Sequence, residues 1–148
     1  MSSTTFAIVL SLIAGIAGAA QAGLSSALGR RMGVLEATAF GALLGAAIMT
    51  TMAIVFGRGA SGILSGFRQP PWLWTTAVMG ALILTTLTFA PSRIGTFAAI
   101  GLIIVGQLAA GLLIDANGWF GGEAIRMTGY RLAGLIMLGS GALLILKR

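Results

Sequence analysis

The sequence predicts an all-α integral membrane protein, on two observations. Of its 148 residues, 57% are hydrophobic and 8% are charged, against about 25% charged in an ordinary soluble domain. The few charges are spaced so that five stretches carry none: 1–29, 37–57, 69–92, 94–114 and 132–146. A soluble domain of about 150 residues leaves roughly 30% of its unfolded-chain surface in water, so it has too little interior to hide this much apolar side chain. Nothing alternates polar and apolar over the ~10 residues that a barrel strand needs.

A helix needs about 20 apolar residues to cross a ~30 Å hydrocarbon core. The stretches therefore predict five transmembrane helices, at about 4–28, 36–57, 72–90, 94–115 and 127–146, in one transmembrane domain covering 1–148. The first helix reads as retained: Ala17-Gly18-Ala19 resembles a cleavage site, but no Lys or Arg precedes the apolar run. Glu36 opens the second helix, where a negative charge suits the helix dipole. Gly57 to Gln69 is a Gly/Ser-rich connection, and Pro70-Pro71 stand just ahead of the third helix, where Pro is tolerated. Pro91 is expected to end that helix. Trp72, Trp74 and Trp119 fall near span ends, as interfacial aromatics do. The fifth helix reaches spanning length if it starts near Met127 and Arg131 snorkels to the headgroups, with Tyr130 beside it.

Several functions are excluded by what is missing. With no Cys and no His, there is no disulfide framework, no Cys/His metal site and no His-based acid–base chemistry. The net charge is +6, but the basic runs Arg30-Arg31 and Lys147-Arg148 are two residues long and stand on no basic face, so nucleic acid is not an expected partner. No cofactor and no metal are implied. An enzyme is the least favoured class, because no carboxylate lies mid-span to act as acid or base.

An odd number of spans puts the termini on opposite sides. Arg30, Arg31, Arg93, Lys147 and Arg148 then share one side, and Arg58, Arg68, Arg126 and Arg131 the other, five against four. Orientation needs a clear imbalance of Lys and Arg. The near balance is compatible with a weakly preferred orientation, N-terminus outside. It also predicts dual topology, with oppositely inserted copies pairing as an antiparallel homodimer. Such a pair is an inverted repeat, the architecture that places a binding site near the midplane.

At about 100° per residue, Ser11, Ala14, Gly18, Gln21 and Ser25 share a narrow face of the first helix, opposite Ile8, Leu12 and Ile16. Small residues suit close helix packing; an amide in hydrocarbon is costly without a partner, which favours a polar cavity for Gln21. Trp74, Val78, Ala81, Thr85 and Thr88 share a face of the third helix, a contact surface for a small organic molecule. The alternative is Thr hydroxyls on their own backbone and Trp as an interface anchor. Gly95, Ala99, Gly106 and Ala110 share a face of the fourth helix beside Gln107. Gly41 and Gly45 form a GxxxG pair on the second. Gln21, Ser25, Trp74, Thr85 and Gln107 are the candidate substrate contacts; Gly18, Gly41, Gly45, Gly95 and Gly106 are the candidate packing positions. Mid-span ionisable groups are the usual marks of ion coupling. Here Asp115, at the end of the fourth helix, is the best-placed carboxylate for coupling, and Arg126 and Arg131 lie on its side of the membrane. Its alternative reading is a plain interfacial helix end. Glu123 is expected in a loop.

With these pieces placed, the chain resembles the YdcZ-type family of short transporters in the drug/metabolite transporter superfamily. The likeness rests on Gln21-Ala22 with Leu28-Gly29-Arg30, on Ala90-Pro91-Ser92-Arg93-Ile94-Gly95, and on Val105-Gly106-Gln107-Leu108. It rests also on Leu112-Leu113-Ile114-Asp115 followed by Gly118-Trp119-Phe120-Gly121. The family pattern has Asn where this chain has Ser25. The resemblance implies a five-helix half-transporter of the cell inner membrane that works as a dimer, and relates it to longer carriers of two inverted halves and to four-helix multidrug exporters. Those exporters use a first-helix Glu for proton coupling; Gln21 and the absence of an acid there prevent carrying that mechanism over. The expected function is export of a small organic metabolite or drug by alternating access between antiparallel protomers in the bilayer, with weak or absent proton coupling. The rival expectation is a non-transporting assembly or regulatory subunit whose glycine faces serve packing alone.

Overall fold

A computed structural model of the chain describes residues 3–146. Lys147 and Arg148, two of the charges in the topology count, lie outside the described residues. Five helices are long and apolar enough to cross a membrane. They are α1 (Ser3–Met32), α2 (Val34–Phe56), α4 (Thr75–Ile94), α5 (Thr96–Asn117) and α6 (Gly129–Leu146); α3 (Gly59–Leu64) is a short helix between α2 and α4. The 30 residues of α1 rise about 45 Å at ~1.5 Å per residue, longer than the ~30 Å hydrocarbon core.

Two connections are far shorter than the sequence suggests. A single residue, Gly33, separates α1 from α2, and a single residue, Gly95, separates α4 from α5. Their backbones nearly coincide: φ 101°, ψ 150° at Gly33 and φ 84°, ψ 153° at Gly95. A Cβ makes this region essentially inaccessible to other residues, so glycine lets one helix end and the next begin with no loop. The Gly33 N–H closes α1 on the Gly29 carbonyl at 3.0 Å, and its own carbonyl starts α2 by accepting from Ala37 at 3.1 Å. The Gly95 carbonyl starts α5 in the same way, on Ala99 at 3.1 Å. Each corner follows an Arg by two residues (Arg31, Arg93) and carries basic side chains in the helical turn before it.

The expectation that Pro91 ends its helix is corrected. Pro91 is buried inside α4, which continues to Ile94. A proline has a helix-compatible φ and lacks only the N–H bond to the residue four back; here the loss falls in the last turn, and Gly95 is the stop. The connection after α2 also holds more structure than a loop. It contains α3 and 3-10 turns at Ser65–Arg68 and Pro71–Trp74.

The chain divides into two compact units, residues 1–92 and 93–148. Among the described residues the buried apolar side chains are Pro91 and five alanines: Ala22 and Ala37 in the first unit, Ala98, Ala99 and Ala142 in the second. Large residues such as Ile16, Leu24, Leu43 and Met137 stay exposed. This is the membrane arrangement, because hydrocarbon solvates Leu and Ile as well as a protein interior does while small residues let backbones approach.

Candidate functional site

The tightest packing of the first unit lies near the Gly33 corner. Ala22 and Ser26 of α1, Ala37 of α2, and Thr88 and Pro91 of α4 are buried there. The Thr38 and Thr88 hydroxyls lie 3.0 Å apart, tying α2 to α4, while Thr88 donates its own proton to the Leu84 carbonyl at 2.9 Å. The buried Ser26 hydroxyl accepts from Arg30 Nη1 at 3.1 Å. Gly29 faces Thr88: a Cβ there would stand 2.9 Å from the Thr88 methyl. Thr38 was not singled out by sequence, and Gly29 only as part of the Leu28-Gly29-Arg30 motif. Their partner Thr88 is 50 and 59 residues away, and no local pattern marks such a pairing.

The expected substrate contacts are distributed differently. Gln21 on α1 and Gln107 on α5 are exposed in the single chain, and Ser25 is half-buried. The Thr85 hydroxyl donates to the Ala81 carbonyl at 2.8 Å, leaving its oxygen free to accept. Trp74 ends the 3-10 turn ahead of α4; its indole N–H donates to the Gly66 carbonyl at 3.2 Å, and its ring stands edge-on to Phe67 at 6.1 Å. No hydrogen bond joins Gln21, Ser25, Trp74 or Thr85 to one another. Of the expected packing glycines, Gly18, Gly41, Gly45 and Gly106 have no neighbour within 4 Å of the position a Cβ would take, so within one chain their faces are open. Gly95 is likewise open and has its structural use at the corner.

In the second unit, Asp115 meets Arg131 across the α5–α6 pair, Oδ2 to Nη1 at 3.4 Å, with the side chains 45% and 41% exposed respectively. At that exposure the ion pair contributes about 0–1 kcal/mol. The Asp115 carbonyl accepts from the Gly118 and Ile125 N–H groups at 3.3 and 2.8 Å. The loop after α5 is thereby folded back on the helix end, with Glu123 exposed in it. Asp115, Arg131 and Tyr130 line a cleft of about 390 Å³ that continues along α5 and α6 past Leu108 and Gly111. A second, almost wholly apolar cleft of about 590 Å³ follows on the same pair of helices past Gly101, Ile104 and Ala142. The sequence marked Arg131 as lying on Asp115's side; Tyr130 as a cleft residue was missed, because its reading was that of an interface anchor.

The arrangement offers neutral hydrogen-bonding groups on small-residue helix faces, clefts between α5 and α6 and an Asp115–Arg131 ion pair at a helix end. A family model described as "Putative inner membrane exporter, YdcZ" matches residues 6–144. The chain belongs to the YdcZ family. The match runs from the first turns of α1 to the last turn of α6, so all five spans lie inside the family's pattern. No curated protein and no solved structure matches the chain. As a YdcZ-family protein it is a multi-pass protein of the inner membrane, in a family of exporters rather than of enzymes.

Proposed function

We propose that this protein exports a small organic molecule by alternating access at the interface of two antiparallel copies. Gln21, Ser25, Trp74, Thr85 and Gln107 line the site. Membership of a family described as inner membrane exporters carries the transport reading. The polar face of α1 supports the dimer: Gln21 is exposed and a Cβ at Gly18 would meet nothing within 4 Å, and an amide left facing hydrocarbon costs several kcal/mol, about 4–8 on an alkane scale. A second copy closes that face and makes one polar interior from two.

Both orientations are expected in the membrane, because basic residues flank both sides in near balance. C-terminal reporter fusions should be active on both sides, and two Lys added at the C-terminus should drive the population to one. Activity of the unmodified fusion on one side alone would exclude the antiparallel homodimer.

Coupling to protons is expected to be weak or absent. Asp115 is the carboxylate nearest to a cleft, and Arg131 already occupies it as a counter-ion. The substrate is first identified by thermal stabilisation, since a ligand of the folded state raises its stability by mass action. Flux of that substrate in liposomes should then change less than about twofold when a pH gradient is imposed, and by no more in Asp115→Asn. Uphill transport driven by the gradient and abolished by Asp115→Asn would make Asp115 the coupling residue.

A further inference from the structure

The connection between α2 and α4 carries features that the proposed transport site does not use. Phe56 and Pro71 are the near ends of two consecutive spans, so residues 57–70 are held at one face of the membrane. This stretch is helical over α3 and the 3-10 turn that follows it. At about 100° per residue, Ser61, Ser65 and Arg68 share one face, while Ala60, Ile63 and Phe67 share the other with Leu64 on its flank; Arg58 caps the start of α3, ahead of Gly59 at φ 68°. Ser61, Ser65 and Arg68, with Leu64 at the edge, line one shallow cavity of about 190 Å³. The apolar side is left bare by the rest of the chain, with Ile63 41%, Leu64 60% and Phe67 73% exposed. Phe67 is braced by Trp74, whose indole is bonded back to Gly66. No acidic residue occurs between Glu36 and Asp115, and neither Arg58 nor Arg68 has an ion-pair partner.

We propose that this element lies along the phospholipid headgroups, with Ile63, Leu64 and Phe67 in the acyl boundary and Arg58 and Arg68 on lipid phosphates. An amphipathic segment with aromatic and aliphatic residues on one face and Arg on the other has this as its low-energy position. Two guanidiniums without an ion-pair partner complement a phosphodiester, which Arg contacts bidentately; the Ser61 and Ser65 hydroxyls donate to the Arg58 and Gly62 carbonyls instead. An aqueous loop would leave Phe67 and Leu64 in water, and a protein partner would have to supply anionic groups that no part of a second copy offers in quantity, since the whole chain has three acidic residues.

The chain has no Cys, so single labels can be placed without background. Ser61→Cys, Ile63→Cys, Ser65→Cys and Phe67→Cys, each spin-labelled, are reconstituted in phosphatidylcholine vesicles with phosphatidylglycerol. Collision with oxygen should be high at Ile63→Cys and Phe67→Cys, and collision with a water-soluble nickel chelate high at Ser61→Cys and Ser65→Cys. The readout is the same for copies inserted either way, since either orientation places the element at an interface. Chelate access at all four positions would make the element an aqueous loop; shielding of Ile63→Cys and Phe67→Cys from both probes would put protein on that face. Either result overturns the assignment. In native mass spectra of the purified protein, the preference for bound phosphatidylglycerol over phosphatidylcholine should fall about fivefold for each arginine removed in Arg58→Gln and Arg68→Gln, the factor expected of a basic residue at an anionic membrane surface. An unchanged preference would remove the phosphate contact. Displacement of the lipid by inorganic phosphate at equal concentration would assign the site to a free anion and not to a headgroup.

Discussion

Substrate flux through Gln107→Leu, and separately through Gln21→Leu, is expected to fall by about tenfold or more, with membrane insertion and dimerisation largely kept. A lost hydrogen bond to substrate of about 1–1.5 kcal/mol accounts for a factor of that order. The reasoning starts from the two faces of α1. Ile8, Leu12 and Ile16 are more than half exposed on one side, and Ser11 and Gln21 are exposed on the other. Lipid accepts the first face freely and the second at a cost, which is the ground for proposing that a second copy covers the amide side. Leu at either Gln suits hydrocarbon and closes no backbone gap, which is why folding should survive while transport does not. Fluxes from each variant, set beside the dimer fraction in the same liposomes, test this. Full transport by Gln107→Leu, or a Gln21 side chain in contact with lipid in an experimental dimer structure, would remove these residues from the site.

Gly33→Ala and Gly95→Ala are each expected to lower stability by about 1–3 kcal/mol, the cost of holding a side chain in a backbone region that is essentially glycine-only. Gly95 is the cleaner test, because a Cβ there meets nothing within 4 Å and the whole effect is backbone strain. At Gly33 the Glu36 carboxylate also lies where the Cβ would go, but a flexible side chain can move aside. Gly29→Ala should cost a similar ~1–3 kcal/mol for a different reason: it overpacks against Thr88 and strains the Thr38–Thr88 contact. Gly41→Ala and Gly45→Ala are the controls. Their surroundings are open in the single chain and Ala is the better helix former by up to ~1 kcal/mol, so monomer stability should hold or rise. Thermal unfolding in detergent separates the two groups. If Gly95→Ala unfolds with Gly41→Ala, the corner carries no strain and the α4–α5 turn is other than described. A fall in dimer fraction confined to Gly41→Ala and Gly45→Ala would mark the GxxxG face as the contact with the second copy.

The candidate site was less legible than the spans. The periodicity of Ser11, Gly18, Gln21 and Ser25 shows that they share a face, because helical position follows from count alone. Which faces become covered depends on helices distant in sequence or on another copy, and in the single chain Gly18, Gly41, Gly45 and Gly106 face open space. Trp74 shows how one boundary alters a reading. Placed on a helix it shares the Thr85 face; placed in the 3-10 turn before α4 it bonds Gly66 and packs on Phe67.

What the sequence by itself determined is the class of protein, the five spans to within a few residues, the family and the positions of the charges at helix ends. These follow from quantities summed along the chain: apolar length against bilayer thickness, and the cost of a charge in hydrocarbon. Only the tertiary structure decided that single glycines form the α1–α2 and α4–α5 corners, that α4 runs through Pro91, that Thr38 reaches Thr88 and Asp115 meets Arg131, and that the segment after α2 is an amphipathic helix with a bare apolar face. The physical reason is that glycine's freedom is a permission and not an instruction. Gly41 and Gly33 look alike in sequence, yet Gly41 lies inside α2 while Gly33 stands at φ 101° where α1 and α2, packed on each other, meet.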